Sequence, residues 1–123
     1  MAAEKSFENK VKKFLEDEGC WFLKYWGGAA YTKAGIPDLL VCCNGYFLGV
    51  ELKAPNGRPS PLQIYNLKKI DESGGYGILL YPKDFETFKG LIQALNESNI
   101  SSGLYYQELK ERWCELANKS QQN

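Results

Sequence analysis

The sequence predicts an α/β protein: a small mixed β-sheet in the order α-β-β-β-α-β, flanked by helices and followed by C-terminal helices. Three observations predict it. Residues 36–53, IPDLLVCCNGYFLGVELK, are two apolar runs joined by Asn44-Gly45. Asn-Gly is the strongest short signal for a two-residue type I′ hairpin, because both central residues must take φ > 0. Both faces of that hairpin are apolar, which requires helices on both sides of the sheet. Finally, Ser60-Pro61-x-Gln63 opens a helix that leads into the apolar run YGILLY at 76–81. A strand–helix–strand unit makes a right-handed crossover, so this last strand should run parallel to residues 46–53.

In chain order, residues 1–5 are expected to fray. Ser6 is a suitable N-cap for a helix with Phe7, Val11, Phe14 and Leu15 on one face, ending near Gly19. Glu8 falls in the first turn of that helix, where a carboxylate also suits the helix dipole. CWFLKYW, residues 20–26, is aromatic-rich and too short for a helix, so it is expected to be a strand. The small-residue loop 27–35 follows. Tyr31, Thr32 and Lys33 could meet a phosphate backbone from it, or it could be a solvated loop.

Within the hairpin, alternation puts Leu39, Val41, Cys43, Tyr46, Leu48, Val50 and Leu52 on one face. Leu40, Cys42, Phe47 and Gly49 share the other. After a turn-rich break at 54–59, Ser60-x-x-Gln63 forms a capping box with Pro at the first helical position. Gln63 shares a helix face with Leu67 and Ile70 and should look toward the sheet. The helix should stop near Ser73-Gly74-Gly75. Asp84 is expected to cap a further helix with Phe85, Phe88, Ile92 and Leu95 inward. Residues 96–103 read as a linker to a last helix carrying Tyr106, Leu109, Trp113 and Leu116 on one stripe.

At 123 residues the chain is expected to be one domain with a genuine core. No stretch approaches the roughly 20 apolar residues of a membrane span. The start, MAAEKSFENK, lacks a signal-peptide apolar region, so a cytoplasmic protein is expected. Four cysteines show no CxxC spacing and there is no histidine. The cysteines therefore read as small buried apolar residues in a reducing compartment, and His-dependent triads, Zn–His sites and His-metal nucleases are excluded. Fifteen basic and fifteen acidic residues balance, whereas tight non-specific DNA binders are usually basic. From Asp84 onward there are four basic and six acidic residues, against eleven and nine before it. A nucleic-acid surface is thus expected on the N-terminal two-thirds.

The type I′ turn sets the register. Partners across the hairpin sum to 89, so Asp38 faces Glu51, and Lys53 shares their side of the ribbon. Opposed carboxylates with Cβ atoms roughly 5 Å apart repel each other. Such a pair must protonate, lean on Lys53, or bind a cation between its members. Two carboxylates and a lysine are what metal-assisted phosphodiester hydrolysis needs: oxygen ligands for Mg²⁺, and a cation to offset charge developing on phosphorus. The same three groups could equally be a solvated ion-pair cluster. A one-residue slip would send Asp38 and Glu51 to opposite faces.

Gly35-Ile36-Pro37-Asp38 followed by Glu51-Leu52-Lys53 resembles the PD-(D/E)xK nuclease signature. Together with Glu8 in an N-terminal helix and Ser60-x-x-Gln63 opening the next one, it is similar to the VRR-NUC branch. That branch is related to archaeal-type Holliday junction resolvases and occurs in phages as a stand-alone domain. The resemblance covers about residues 6–92 and implies the restriction-endonuclease-like core order given above. It implies a Mg²⁺- or Mn²⁺-dependent endonuclease acting on structured DNA such as a Holliday junction or flap, working as a homodimer, in the host cytoplasm if phage-encoded. Asp38 and Glu51 would be metal ligands, aided by the main-chain carbonyl of Leu52, with Glu8 approaching directly or through water. Lys53 would be the catalytic lysine and Gln63 would point into the site. Lys24, Lys33 and Arg58 are the candidates for phosphate contact. The extension at 97–118, outside the family core, would pack on the domain or build a dimer contact. The rival expectation is a non-cleaving DNA-binding or assembly module that keeps the nuclease fold.

Overall fold

The computed structural model describes residues 2–27 and 33–122; Tyr31 and Thr32 lie outside them. The elements are α1 (Ala2–Asp17), β1 (Trp21–Lys24), β2 (Leu39–Cys43), β3 (Tyr46–Leu52), α2 (Pro61–Glu72), β4 (Tyr76–Leu80), a 3-10 turn (Pro82–Asp84), α3 (Phe85–Asn96) and α4 (Ser102–Gln122). They build the α/β fold read from the sequence. One four-stranded sheet runs β1-β2-β3-β4, antiparallel through β3, with β4 parallel to β3.

The hairpin adopts the expected turn: φ is 51° at Asn44 and 86° at Gly45. Leu40 pairs with Gly49 and Cys43 with Tyr46, the register that an Asn-Gly turn dictates. The β2–β3 ladder ends at Leu39↔Val50, so Asp38 lies one residue beyond the strand.

One face of the sheet holds the main core. Leu39, Val41, Leu48, Val50 and Ile78 pack there with Val11 and Leu15 of α1 and Phe88, Leu91 and Ile92 of α3. On the other face, Leu67 of α2 and Trp113 of α4 bury Leu79. Two paired glycines, Gly49 and Gly77, let α2 come close. A Cβ at Gly49 would sit 2.5 Å from Ile70 Cδ1, and one at Gly77 would sit 2.3 Å from the Leu67 carbonyl oxygen. The extension packs on the domain. Trp113 Nε1 donates to the Gly77 carbonyl at 2.8 Å, and the Tyr106 hydroxyl accepts from the Gly77 N–H at 3.0 Å. Side chains of α4 thus satisfy edge-strand backbone groups that would otherwise be open to another chain.

Four expectations are corrected. The first helix begins at Ala2 rather than at a Ser6 cap, because Ala-Ala-Glu-Lys are strong helix formers. Glu8 therefore sits in the second turn, away from the positive helix end. Asp84 makes no capping hydrogen bond, since its carboxylate is taken by Arg112. Helices cover the second sheet face only over β3 and β4, leaving Trp21 63%, Leu23 50% and Phe47 45% exposed. Cys20 and Cys43 are buried as expected, but Cys42 lies on this uncovered face and is exposed. Among the described residues, no helix is long and apolar enough to cross a membrane.

Candidate active site

The segment before β2 is wedged between sheet and helix. Gly35 has φ 78°, and a Cβ there would lie 2.6 Å from Leu62 Cγ on α2. Pro37 is buried over Gly49, whose added Cβ would meet Pro37 Cγ at 3.0 Å. This wedge seats Asp38 at the mouth of the hairpin. Its carbonyl accepts from the Tyr25 N–H at 2.8 Å, and its Oδ2 accepts from the Leu52 N–H at 2.8 Å. The carboxylate therefore takes the place of a ladder hydrogen bond that β2 no longer supplies.

Glu51 lies on β3, paired with Leu79, and is only 3% exposed. Gln63 Nε2 donates to its Oε2 at 2.9 Å, and Lys53 Nζ lies 3.4 Å from the same oxygen. Its Oε1 is buried without a partner among the described residues. Burial, and then the charge of Asp38, push the Glu51 carboxyl up to about 8 despite the opposing effect of Lys53. Gln63 has two roles. Its Oε1 accepts from the Ser60 N–H at 2.8 Å while its own N–H donates to Ser60 Oγ at 3.2 Å, which is the expected capping box. That cap aims the free amide nitrogen at Glu51.

Glu8 is buried on α1 and held by three lysines: Lys24 at 2.6 Å, Lys12 at 2.9 Å and Lys5 at 3.3 Å. Burial alone would raise its carboxyl, but these hydrogen bonds outweigh that and hold it at about 2. Lys24 Nζ also lies 3.8 Å from Asp38 Oδ1, and Glu8, Lys24 and Asp38 line one pocket of about 150 Å³. The fold thus gathers Asp38, Glu51, Lys53 and Gln63, and leaves Glu8 one lysine away from them. No three acidic or cysteine side chains among the described residues converge as a metal cage.

Of the three basic residues expected to meet phosphate, only Lys24 reaches the carboxylates. Its side chain is 19% exposed and lies between two acids, a role that sequence reasoning missed. The signal was present: alternation along β1 puts Phe22 and Lys24 on the same side, against the core, and an inward lysine requires a buried carboxylate. Lys33 is exposed, its backbone tied to the Tyr25 hydroxyl. Arg58 is exposed in the loop after β3.

The donor set fits a hard divalent cation. Carboxylate oxygens suit Mg²⁺, and the partnerless buried Oε1 of Glu51 is the kind of atom a bound ion would satisfy.

No protein-family model and no solved structure matches the chain. A curated relative does: "Putative nuclease p44" of Acyrthosiphon pisum secondary endosymbiont phage 1 is 30% identical over 95 residues, spanning 72% of this chain and 95% of the relative. With that identity over almost all of the phage protein, the chain belongs to the nuclease-like family that "Putative nuclease p44" represents.

Proposed function

We propose that this protein is a Mg²⁺- or Mn²⁺-dependent endonuclease of the PD-(D/E)xK type, close to the VRR-NUC branch. Its substrate in this proposal is DNA, branched DNA in particular, cut by a homodimer. The observation that carries the reading is Glu51: a buried carboxylate with an unpartnered oxygen, set beside Asp38, Lys53 and Gln63. The name of the phage relative supports the same chemistry.

Asp38 and Glu51 would hold the metal, with the Leu52 carbonyl assisting and Glu8 acting at a distance through Lys24. The bound ion would polarise a phosphoryl oxygen and lower the pKa of a water. Gln63 keeps Glu51 in place by its hydrogen bond, and α2 keeps bulk water from it. Lys53 carries its positive charge at the rim, where it can orient a nucleophilic water or offset charge developing on phosphorus. The Leu52 N–H holds the Asp38 carboxylate at the mouth of the hairpin, beside Glu51.

The test is cleavage of a four-way junction, a flap, a single strand and a linear duplex with Mg²⁺ and with Mn²⁺. Lys53→Ala is expected to lower the rate about a hundredfold or more, and Asp38→Asn comparably. Undiminished cutting by Lys53→Ala would refute the assignment of the site. Light scattering tests the dimer, and a monomer mass at working concentration would count against a paired cut. One observation favours a second reading, the non-cleaving module: Glu8 is neutralised by three lysines instead of joining the carboxylate pair. Junction binding with no cutting in either metal would establish that reading.

A further inference from the structure

A basic cleft lies beside the Lys53 side chain. The loop after β3, the 3-10 turn and α4 line this open cleft of about 410 Å³. Arg58, Lys83 and Arg112 line it, and no acidic side chain among the described residues does. In a chain with no net charge, this is a local concentration of positive charge drawn from three separate elements.

The cleft is built rather than merely solvated. Arg112 Nε and Nη2 donate to the two Asp84 oxygens at 2.8 and 2.7 Å, and Asp84 is buried. That bidentate pair fixes the guanidinium and uses two of its five N–H donors. Lys83 Nζ stands 5.9 Å from the centre of the Tyr81 ring, and the Tyr81 hydroxyl donates to the Gly57 carbonyl at 2.9 Å. Neither Arg58 nor Lys83 makes an ion pair among the described residues. Gly57 joins the cleft to the catalytic end, since a Cβ there would lie 3.3 Å from Lys53 Cδ.

We propose that this cleft is a phosphodiester subsite, seating the backbone of the DNA strand that flanks the bond to be cut; this rests on the nuclease reading above. Phosphate contacts of this kind position a strand without reading its sequence. Arg112 brings α4 into binding, so the extension beyond the common core serves recognition as well as packing. It also places part of the nucleic-acid surface outside the N-terminal two-thirds expected from charge distribution.

The experiment is binding of labelled duplex and single-stranded DNA to the full chain in EDTA, followed by anisotropy over a range of NaCl concentrations. Arg58→Gln/Lys83→Gln removes two exposed charges outside the catalytic group. Asp84→Asn/Arg112→Gln removes the exposed arginine together with its buried partner, so that no carboxylate is stranded. For two lost phosphate contacts the slope of log K against log[NaCl] on duplex should become shallower by about 1.8, and for one by about 0.9. The first variant should keep the parent's unfolding midpoint. Parent-like slopes in both variants, with the parent still cutting DNA, would overturn the cleft alone. A parent that neither binds nor cuts DNA would overturn the nuclease reading and the cleft with it. Competition by inorganic phosphate at fixed ionic strength separates the remaining source of the same chemistry. If phosphate binding is lost in the variants while their DNA slope is unchanged, the cleft is a small-anion site and the strand proposal falls.

Discussion

Replacing Glu51 by glutamine is expected to lower metal-dependent cleavage about a thousandfold or more, while making the metal-free protein more stable at neutral pH. Both effects come from one burial. The Glu51 carboxyl is pushed up to about 8 in the folded chain, from an ordinary value of 4.5. Below about 4.5 the group is protonated folded and unfolded, and burial costs nothing through ionisation. As pH rises from there toward 8, the unfolded chain releases the proton while the folded chain retains it. Stability should therefore fall across that window and level off above it, by a few kcal/mol in total at most. Glutamine mimics the protonated acid without having to take up a proton, so the variant should lose that slope. Urea unfolding in EDTA from pH 5 to pH 8 measures it. Mg²⁺, which favours the ionised carboxylate, should raise the melting temperature of the parent at pH 7 and leave the variant unmoved. Equal cleavage by the two proteins would end the assignment of Glu51. A parent whose stability is flat over that pH range would show that the carboxylate is already ionised without metal.

Gly77→Ala is expected to destabilise the fold by about 3 kcal/mol or more and to remove activity with it. The added Cβ would lie 2.3 Å from the Leu67 carbonyl oxygen, 2.9 Å from its carbonyl carbon and 3.0 Å from its Cα. All three are backbone atoms of α2, so no rotamer change relieves the clash and the helix must lift. Lifting it separates Leu67 from Leu79 and draws Gln63 off Glu51. It also disturbs the Trp113 and Tyr106 hydrogen bonds to Gly77. Gly103→Ala in the first turn of α4 is the control: nothing lies within 4 Å of the added Cβ, so its midpoint should match or slightly exceed the parent's. Denaturation midpoints for the two variants decide the matter. A Gly77→Ala protein as stable as the parent would mean that α2 does not sit this close to the sheet.

What sequence alone determined was local. Asn44 and Gly45 set the hairpin register, because a two-residue turn admits only residues that tolerate positive φ, and the register brought Asp38 to Glu51. Ser60 and Gln63 capped α2 because both bonds close within one helical turn. The parallel placement of β4 followed from the handedness of a strand–helix–strand crossover.

What only the tertiary structure decided were meetings between residues far apart in the chain. Glu8 and Lys24 pair across 16 positions, turning an expected phosphate contact into a bridge between acids. Asp84 and Arg112 pair across 28, so a residue suited to cap α3 instead anchors the basic cleft. The uncovered face at Trp21, Leu23 and Phe47 arises because α2 settles over β3 and β4, where the glycines at 49 and 77 let it approach, and α4 packs along β4. Periodicity states which side of an element is apolar, but which neighbour covers that side depends on packing distances measured only once the chain has folded.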